Sequence, residues 1–135
     1  MGKTDIRRGA CGVLVRDGRV LLGLRSPSAR SHHGQWDVIG GHREPGETDE
    51  QTMVRELHEE LGVIPTTYQN VGALAEEFAE TQYRLRVFSV LDWDGTPTNC
   101  SHEHVEIAWF SASEIPKLDL TSLSLVPILS KIASG

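Results

Sequence analysis

Two apolar runs near the start of the chain are separated by a short polar turn. Residues 10–16 (ACGVLVR) and 19–25 (RVLLGLR) are rich in valine and leucine, and Asp17-Gly18 stands between them. Asp-Gly tolerates the positive φ angles that a two-residue turn between antiparallel strands requires. The pattern therefore predicts a β-hairpin, and the polar, unpatterned residues 26–35 that follow predict an exposed loop.

A single segment in the middle of the chain has strong helical signals. Thr48 and Gln51 have the spacing of a capping box, which places the helix start near Asp49. Gly62 stands where a C-terminal cap belongs. Apolar residues between these ends recur at helical spacing and predict one buried stripe, formed by Val54, Leu57 and Leu61.

The rest of the chain alternates between apolar and polar residues in a way typical of strands. Residues 36–39 predict a short strand that ends at a bend at Gly40-Gly41, and residues 104–110 predict another strand. Residues 68–78 and 82–93 predict a second hairpin, and the apolar tail at about 121–133 predicts a packing helix. Because strands outnumber helices and hairpins imply antiparallel pairing, the predicted class is α/β with a mixed, α+β-like sheet.

Length and charge limit the possible functions. The chain has 135 residues, without repeats or linkers, and we expect one domain over residues 1–135. Its formal net charge is -6, which disfavours a nucleic-acid polymer as partner. There is no apolar run of about 18 residues and no signal peptide, so we expect a cytoplasmic protein without a membrane partner. Cys11 and Cys100 do not have metal-site spacing.

The central helix presents three carboxylates on one side. At about 100° per residue, Glu56, Glu59 and Glu60 fall on the face opposite the apolar stripe, and we expect that face to be exposed. Like charges at this spacing repel, and a divalent cation that prefers oxygen ligands would remove the repulsion. A bend at Gly40-Gly41 would bring a backbone carbonyl toward the same cation, and Arg55 would hold a carboxylate in place.

Together these residues resemble the Nudix box, the signature of the Nudix hydrolases. The match has no departure at any fixed position and reads Gly41-x5-Glu47-x7-Arg55-Glu56-Leu57-x-Glu59-Glu60-x-Gly62-Val63. The order of strands, loop and helix around it is also similar to a MutT-like Nudix domain. The resemblance implies an α/β/α sandwich and a pyrophosphohydrolase, an enzyme that cleaves a diphosphate linkage in a nucleotide.

The resemblance also assigns roles to the residues of the box. It implies that Glu56, Glu59, Glu60 and the carbonyl of Gly40 bind Mg²⁺, for which Mn²⁺ can substitute. Glu47 and Arg55 would then support catalysis by orienting the acidic face. Mg²⁺ suits this set because it prefers octahedral oxygen coordination and grips substrate phosphates.

The base that activates the attacking water is less defined. Glu103 lies in the loop before the last predicted strand, where relatives often carry such a base. Glu106 is an alternative, and Glu56 could itself serve. His102 and His104 flank Glu103 and either alter its pKa or are plain loop histidines.

Substrate contacts are assigned to four residues. The resemblance implies that Arg25 meets the substrate phosphates, and that Asp119 reads a purine edge unless it or Thr121 caps the last helix. Trp36 and Phe78 could stack on a base or could belong to the core. The expected substrate is a nucleoside triphosphate, with a normal or oxidised purine deoxynucleotide as first candidate. Coenzyme A, ADP-ribose and nucleotide sugars stay open, as does a non-catalytic nucleotide-sensing domain. Both a monomer and a homodimer are compatible with the sequence.

Overall fold

The computed structural model describes residues 6–27, 34–78 and 81–135, apart from the side chains of residues 76–78. Within this part the strands and helices follow one another in the order β1 (Ile6–Arg16), β2 (Arg19–Arg25), β3 (Trp36–Asp37), β4 (Ile39–His42), α1 (Asp49–Leu61), β5 (Ile64–Phe78), β6 (Thr81–Asp94), β7 (His104–Ser111) and α2 (Leu125–Ser134). A short 3₁₀ turn, Ile115–Lys117, precedes α2. Both predicted hairpins are present, and the second extends beyond its predicted bounds.

The sheet is mixed because β1 pairs with three different strands. It runs antiparallel to β2 near its end, antiparallel to β4 in its middle, and parallel to β6. β5 adds to the far side of β6, while β3 and β7 pair with β2. The parallel pairing of β1 with β6 joins the two hairpins into one sheet.

One helix covers each face of the sheet, and each covers its own apolar core. Alternation along β1 sends neighbouring residues to opposite faces, so Cys11 belongs to the α2 side and Ala10 to the α1 side. The α2 side also buries Val13, Val20, Leu22, Val87, Leu125 and Leu129. The α1 side also buries Leu14, Leu21, Met53, Leu57, Leu61 and Phe88. The predicted mixed α/β class is confirmed as a three-layer α/β/α arrangement.

Local signals placed the first turn and the central helix correctly. Asp17 and Gly18 have φ angles of 54° and 73°, as a tight hairpin turn requires. The Thr48 side chain accepts a hydrogen bond from Gln51 N, completing a capping box, and Gly62 ends α1 in the left-handed conformation at φ 71°.

The buried face of α1 is rotated relative to the predicted stripe. Leu57 is fully buried as expected, but Val54 is only half-buried, while Met53 and Glu60 are buried. The helix can turn this face inward because Gly12 of β1 has no side chain. A Cβ at Gly12 would lie 2.5 Å from Leu57 Cδ1.

Two other predictions about elements were wrong. Gly40 and Gly41 do not form a bend, because both lie in β4 and pair with Cys11 and Ala10 of β1. The last helix begins at Leu125 with Ser124 at its N-cap, so neither Asp119 nor Thr121 caps it. In the residues the structure describes, no helix is long and apolar enough to cross a membrane.

Candidate active site

Arg55 connects α1 to the loop that precedes it. Its Nε lies 2.7 Å from Glu47 Oε2 and its Nη2 lies 3.0 Å from Glu47 Oε1, a two-point contact. Glu47 also accepts hydrogen bonds from Glu44 N and Thr52 Oγ1. The Arg55 hydrogen bonds and that from Glu44 N lower the pKa of Glu47 to about 2, so Glu47 is ionised at neutral pH. The pair holds the loop against the first turns of the helix.

The same guanidinium reaches the carboxylates on the helix and the end of β4. Arg55 Nη1 lies 2.9 Å from Glu56 Oε1 and 3.3 Å from Glu59 Oε2, and Nη2 donates to the carbonyl of His42 at 3.1 Å. The Arg55 guanidinium therefore fixes the positions of the Glu56 and Glu59 carboxylates relative to the sheet.

Glu60 is buried, contrary to the expectation of an exposed acidic face. It is 7% exposed, and neither carboxylate oxygen makes a hydrogen bond within the described residues. Burial raises the pKa of Glu60 to about 9, and the negative charges of Glu56 and Glu103 act in the same direction. The physical reason is the rotated face of α1, which turns Glu60 toward His104 at the start of β7.

Glu56 lies against the β4 backbone where only a glycine fits. A Cβ at Gly41 would lie 2.5 Å from Glu56 Oε1, and a Cβ at Gly40 would collide with the carbonyl of Ala10. The two glycines therefore permit close approach of the helix and of β1 to β4. Neither has a positive φ, so the flexible bend that the sequence suggested is not the reason for them.

The three box carboxylates do not converge on one point as the sequence predicted. The Glu59 side chain is more than half exposed and pairs with Arg55, whereas that of Glu60 is buried near Glu56. Among the described residues, no three His, Cys, Asp or Glu side chains form a complete metal-binding group. In this structure the two box carboxylates that lie close together are therefore Glu56 and Glu60.

His104 was expected to be a loop histidine, but it is a buried residue at the start of β7 beside Glu60. Its Nδ1 lies 3.7 Å from Glu60 Oε1, and its Nε2 has no hydrogen-bond partner in the described part of the chain. Burial and the Arg25 charge lower its pKa, so the ring is neutral at neutral pH. The sequence feature that could have indicated its position is Gly23, a glycine inside the β2 strand. A Cβ at Gly23 would lie 2.6 Å from His104 Cδ2, so a glycine is needed for the ring to fit.

A cleft of about 790 Å³ opens beside these carboxylates on the α2 side of the sheet. Arg25 and Glu103, predicted from separate parts of the sequence, line it together with Glu56. Arg25 lies at a bulge in the β2–β7 ladder, and Ser26 N donates to the carbonyl of Glu103 at 2.8 Å. Glu106 is exposed on β7 opposite Leu24, outside the residues that line the cleft.

The residues predicted to bind the base are placed less favourably. The Trp36 ring packs edge-on against Phe110, with ring centroids 4.7 Å apart, at the border of the α2-side core. Asp119 is exposed before α2, where its Oδ1 accepts a hydrogen bond from Gln35 Nε2 at 2.9 Å. The cleft wall near α2 is instead formed by Thr121, Ser122 and Leu125. The side chain of Phe78 lies outside the described residues.

The donor set fits a hard divalent cation. Two carboxylates, Glu56 and the buried Glu60, lie close together, and Glu56 lines the cleft beside Gly40 and Gly41 of β4. Such oxygen donors suit Mg²⁺ or Mn²⁺ better than softer metals. Burial disfavours the ionised form of the Glu60 carboxyl group, and a bound cation would offset that cost.

The fold and the site define a hydrolase of the Nudix class. The family model described as NUDIX domain matches residues 5–129, so the chain belongs to this family. Its members are pyrophosphohydrolases and diphosphatases that act on acid anhydrides, and they generally need a divalent metal.

Individual relatives agree with this assignment. The chain is 34% identical over 117 residues to a CTP pyrophosphohydrolase of Escherichia coli (strain K12), covering 87% of this chain and 84% of that protein. It is 34% identical over 110 residues to an oxidized purine nucleoside triphosphate hydrolase of Mus musculus, covering 80% of this chain and 68% of that one. The solution structure of the E. coli ORF135 protein superposes with a TM-score of 0.83 at 30% identity, covering 99% of this chain and 93% of that one.

Proposed function

We propose that the protein is a Mg²⁺-dependent nucleoside triphosphate pyrophosphohydrolase that releases a nucleoside monophosphate and diphosphate. The observation that carries the proposal is the close pair of carboxylates Glu56 and Glu60. Glu60 is buried without a hydrogen bond in the described residues, and Glu56 lines a cleft that also contains Arg25. The acidic chain needs a cation to attract a polyphosphate, and this pair of carboxylates supplies its ligands.

Each residue of the site has a role in this proposal. Glu56, Glu60 and the Gly40 carbonyl would hold the cation, and Glu59 would join them if its side chain left Arg55. Mg²⁺, when bound, neutralises charge on the diphosphate and lowers the pKa of a coordinated water. Arg25, which also lines the cleft, would bind the phosphates. Glu103 is favoured over Glu106 as the base because it lines the cleft.

Arg55 and Glu47 act as positioning residues. The two-point contact between them fixes the guanidinium, whose remaining nitrogen holds Glu56 against β4. Glu56 is thereby oriented before the substrate binds. We infer that Arg55 and Glu47 are part of the box because they preorganise Glu56, and not because they contact the substrate directly.

The nucleoside would lie on the apolar wall of the cleft. This wall is lined by Leu74, Leu85 and Leu125, and the volume of the cleft suits a small ligand. The relatives include enzymes named for CTP and for oxidized purine nucleotides, so both pyrimidine and purine triphosphates are candidates. Trp36, Phe78 and Asp119 stay as predicted substrate contacts.

The proposal extends to the whole chain. Residues 1–135 would form a single Nudix hydrolase domain, supported by the family match over residues 5–129. A cytoplasmic location, activity without a nucleic-acid polymer or membrane partner, and a monomeric or homodimeric state stay predictions from the sequence.

The test is a substrate screen with a phosphate readout. Nucleoside triphosphates, oxidised purine triphosphates, dinucleotides, ADP-ribose and coenzyme A are incubated with enzyme and Mg²⁺, with and without added inorganic pyrophosphatase. For a triphosphate substrate we expect phosphate to appear only when pyrophosphatase is present, because the enzyme releases diphosphate. EDTA should abolish turnover, and Mn²⁺ should restore it.

Matched variants of α1 test the cation site. Glu60→Gln should lower kcat by at least about 100-fold, since it removes a charged cation ligand. Glu50→Gln changes an exposed carboxylate on the first turn of the same helix and should leave kcat within about twofold. Turnover that persists in EDTA, or a Glu60→Gln variant with normal kcat, would contradict the proposal.

A further inference from the structure

The Glu103 loop, residues 98–103, is attached to the C-terminal end of α1. Thr98 N donates to the carbonyl of Leu61 at 3.0 Å, and Cys100 N donates to the carbonyl of Glu60 at 2.9 Å. Carbonyls in the last turn of a helix lack a partner within the helix, so these two bonds satisfy them. The start of the loop is therefore fixed to the backbone of Glu60, whose side chain is a proposed cation ligand.

The end of the loop is attached to β2 at an irregular point of the sheet. Ser26 N donates to the carbonyl of Glu103 at 2.8 Å. The register between β2 and β7 shifts between Leu24 and Arg25, so that Val105 has no partner on β2 among the described residues. A bulge of this kind bends a strand and redirects the side chains beside it. The bulge therefore helps to set the direction in which the loop enters β7.

Asn99 connects the two ends of the Glu103 loop through its side-chain amide. Its Nδ2 donates to the carbonyl of His104 at 2.8 Å, and its Oδ1 accepts a hydrogen bond from Ser101 N at 3.3 Å. Glu103 N in turn donates to Ser101 Oγ at 2.9 Å. One side chain thus joins the start of the loop to the first residue of β7, with Glu103 enclosed between them.

An asparagine is suited to this position because one short amide group both donates and accepts hydrogen bonds. An aspartate at position 99 could accept from Ser101 N but could not donate to the carbonyl of His104. An alanine could do neither. The residue is also half-buried, so water competes less for these hydrogen bonds than it would at an exposed position.

The Glu103 carboxylate depends on the backbone of the loop for its position. The residue is exposed, and its carboxylate makes no hydrogen bond within the described part of the chain. It nevertheless lines the cleft with Glu56 and Arg25. A base must lie within hydrogen-bond reach of the proton that it accepts, so a small shift of the loop is enough to lower its efficiency. The hydrogen bonds of Asn99 oppose such a shift.

We propose that Asn99 is a positioning residue for the hydrolysis, which holds the Glu103 carboxylate in the cleft by tying the two ends of its loop together. The proposal rests on the proposed function for the role of Glu103 as the base. It assigns a contribution to turnover to a side chain that is not among the described residues lining the cleft.

A double-mutant cycle tests whether Asn99 acts through Glu103. Glu103→Gln should lower kcat by at least about 100-fold, which is a usual contribution of a general base. Asn99→Ala should lower kcat by about tenfold, because the base is displaced, and should change KM by less than about threefold. In the Glu103→Gln background, the Asn99→Ala change should alter kcat by less than about twofold, since no base is left to position.

Two further asparagine variants sharpen the kinetic test. Asn99→Asp keeps the size and the acceptor but loses the donor, so its kcat should fall as far as that of Asn99→Ala. Asn70→Ala is the matched control, because Asn70 is exposed and its Oδ1 accepts a local hydrogen bond from Gly72 N at 2.9 Å on β5. Its kcat should stay within about twofold of that of the unmodified protein.

Amide hydrogen exchange measured by NMR in EDTA examines the loop without turnover. In Asn99→Ala the amides of Ser26 and Glu103 should exchange at least about fivefold faster, because the loop opens more often once a hydrogen bond is lost. The amide of Leu57, in the middle of α1, should exchange at an unchanged rate, which checks that the variant is folded.

The outcomes separate the role of Asn99 from the proposed function. Normal kcat in Asn99→Ala or Asn99→Asp, independent effects of the two changes in the cycle, or unchanged exchange in the loop would overturn the positioning role while triphosphate hydrolysis stands. A rise in KM that accounts for the lost activity would also overturn it, because the cleft itself would then be damaged. If no compound in the screen is hydrolysed, the proposed function fails, and faster exchange in Asn99→Ala would still support the hold of Asn99 on the loop.

Discussion

At the scale of single residues, the geometry of the site depends on the hydrogen bonds that the Arg55 guanidinium donates to several partners. One side of the guanidinium binds Glu47, and the rest contacts Glu56, Glu59 and the carbonyl of His42. Lysine could not make these contacts together, because it lacks the planar fork. The box requires an arginine here because one side chain must connect the loop, the helix and β4.

The ionised state of Glu47 predicts how stability changes with pH. The folded-state pKa is about 2 and the ordinary value is 4.5, so the charged form contributes stability that is fully present above pH 4.5. This contribution is lost as the pH falls from 4.5 toward 2. Glu47→Gln should therefore be less stable than the unmodified protein at neutral pH, and the difference should shrink steadily across that window.

Urea unfolding in EDTA from pH 2.5 to pH 7 measures the effect of Glu47→Gln. EDTA removes any contribution from bound metal at neutral pH. A stability difference that stays constant across this range would show that Glu47 is not held by Arg55 in its charged form.

At the scale of elements, β4 packs closely against both β1 and α1 because two of its residues are glycines. Gly40 allows β4 to pair closely with β1, and Gly41 leaves room for the carboxylate of Glu56. The position of Glu56 is thus set by the absence of a side chain on the neighbouring strand. Any added atom at Gly41 must move that carboxylate.

Gly41→Ala should therefore impair catalysis more than folding. The added Cβ would lie 2.5 Å from Glu56 Oε1, and we expect kcat to fall by at least about tenfold as the carboxylate is displaced. Gly46→Ala is the matched control, since its φ is 84° and no atom lies within 4 Å of the added Cβ. It should cost about 1–2 kcal/mol of stability through backbone strain and leave kcat near normal.

Phosphate-release kinetics and urea unfolding on both glycine variants separate the two effects. If Gly41→Ala kept full activity, the close approach of β4 to Glu56 would have no catalytic role. The same would follow if Gly46→Ala lost as much activity as Gly41→Ala.

At the scale of the whole molecule, stability and metal binding are linked through Glu60. Its carboxylate is buried between α1 and the β2–β7 part of the sheet, near His104, without a hydrogen bond in the described residues. A cation that binds there stabilises the folded state because the unfolded chain lacks this arrangement.

Mg²⁺ should raise the melting temperature of the protein, and Glu60→Gln should lose most of that rise. In EDTA the variant should be at least as stable as the unmodified protein, because a neutral amide replaces a buried ionisable group. Differential scanning calorimetry with and without Mg²⁺ measures both quantities, with Glu50→Gln as control. An equal Mg²⁺-dependent shift in Glu60→Gln would place the cation elsewhere.

The sequence by itself determined the features that depend on neighbouring residues. Asp17-Gly18 specified the first turn, Thr48 with Gln51 and Gly62 specified the ends of α1, and the spacing of the box identified the family. These signals act over a few residues, so the order of residue types is sufficient to predict them.

Only the tertiary structure decided which side chains are buried and which distant residues meet. The parallel pairing of β1 with β6, the inward rotation of Glu60 and the approach of His104 to Gly23 all join residues far apart in the chain. Helical periodicity placed Glu60 on the polar face, but packing against Gly12 turned that face inward. Packing of this kind depends on the space available across the whole core, which no local pattern in the sequence specifies.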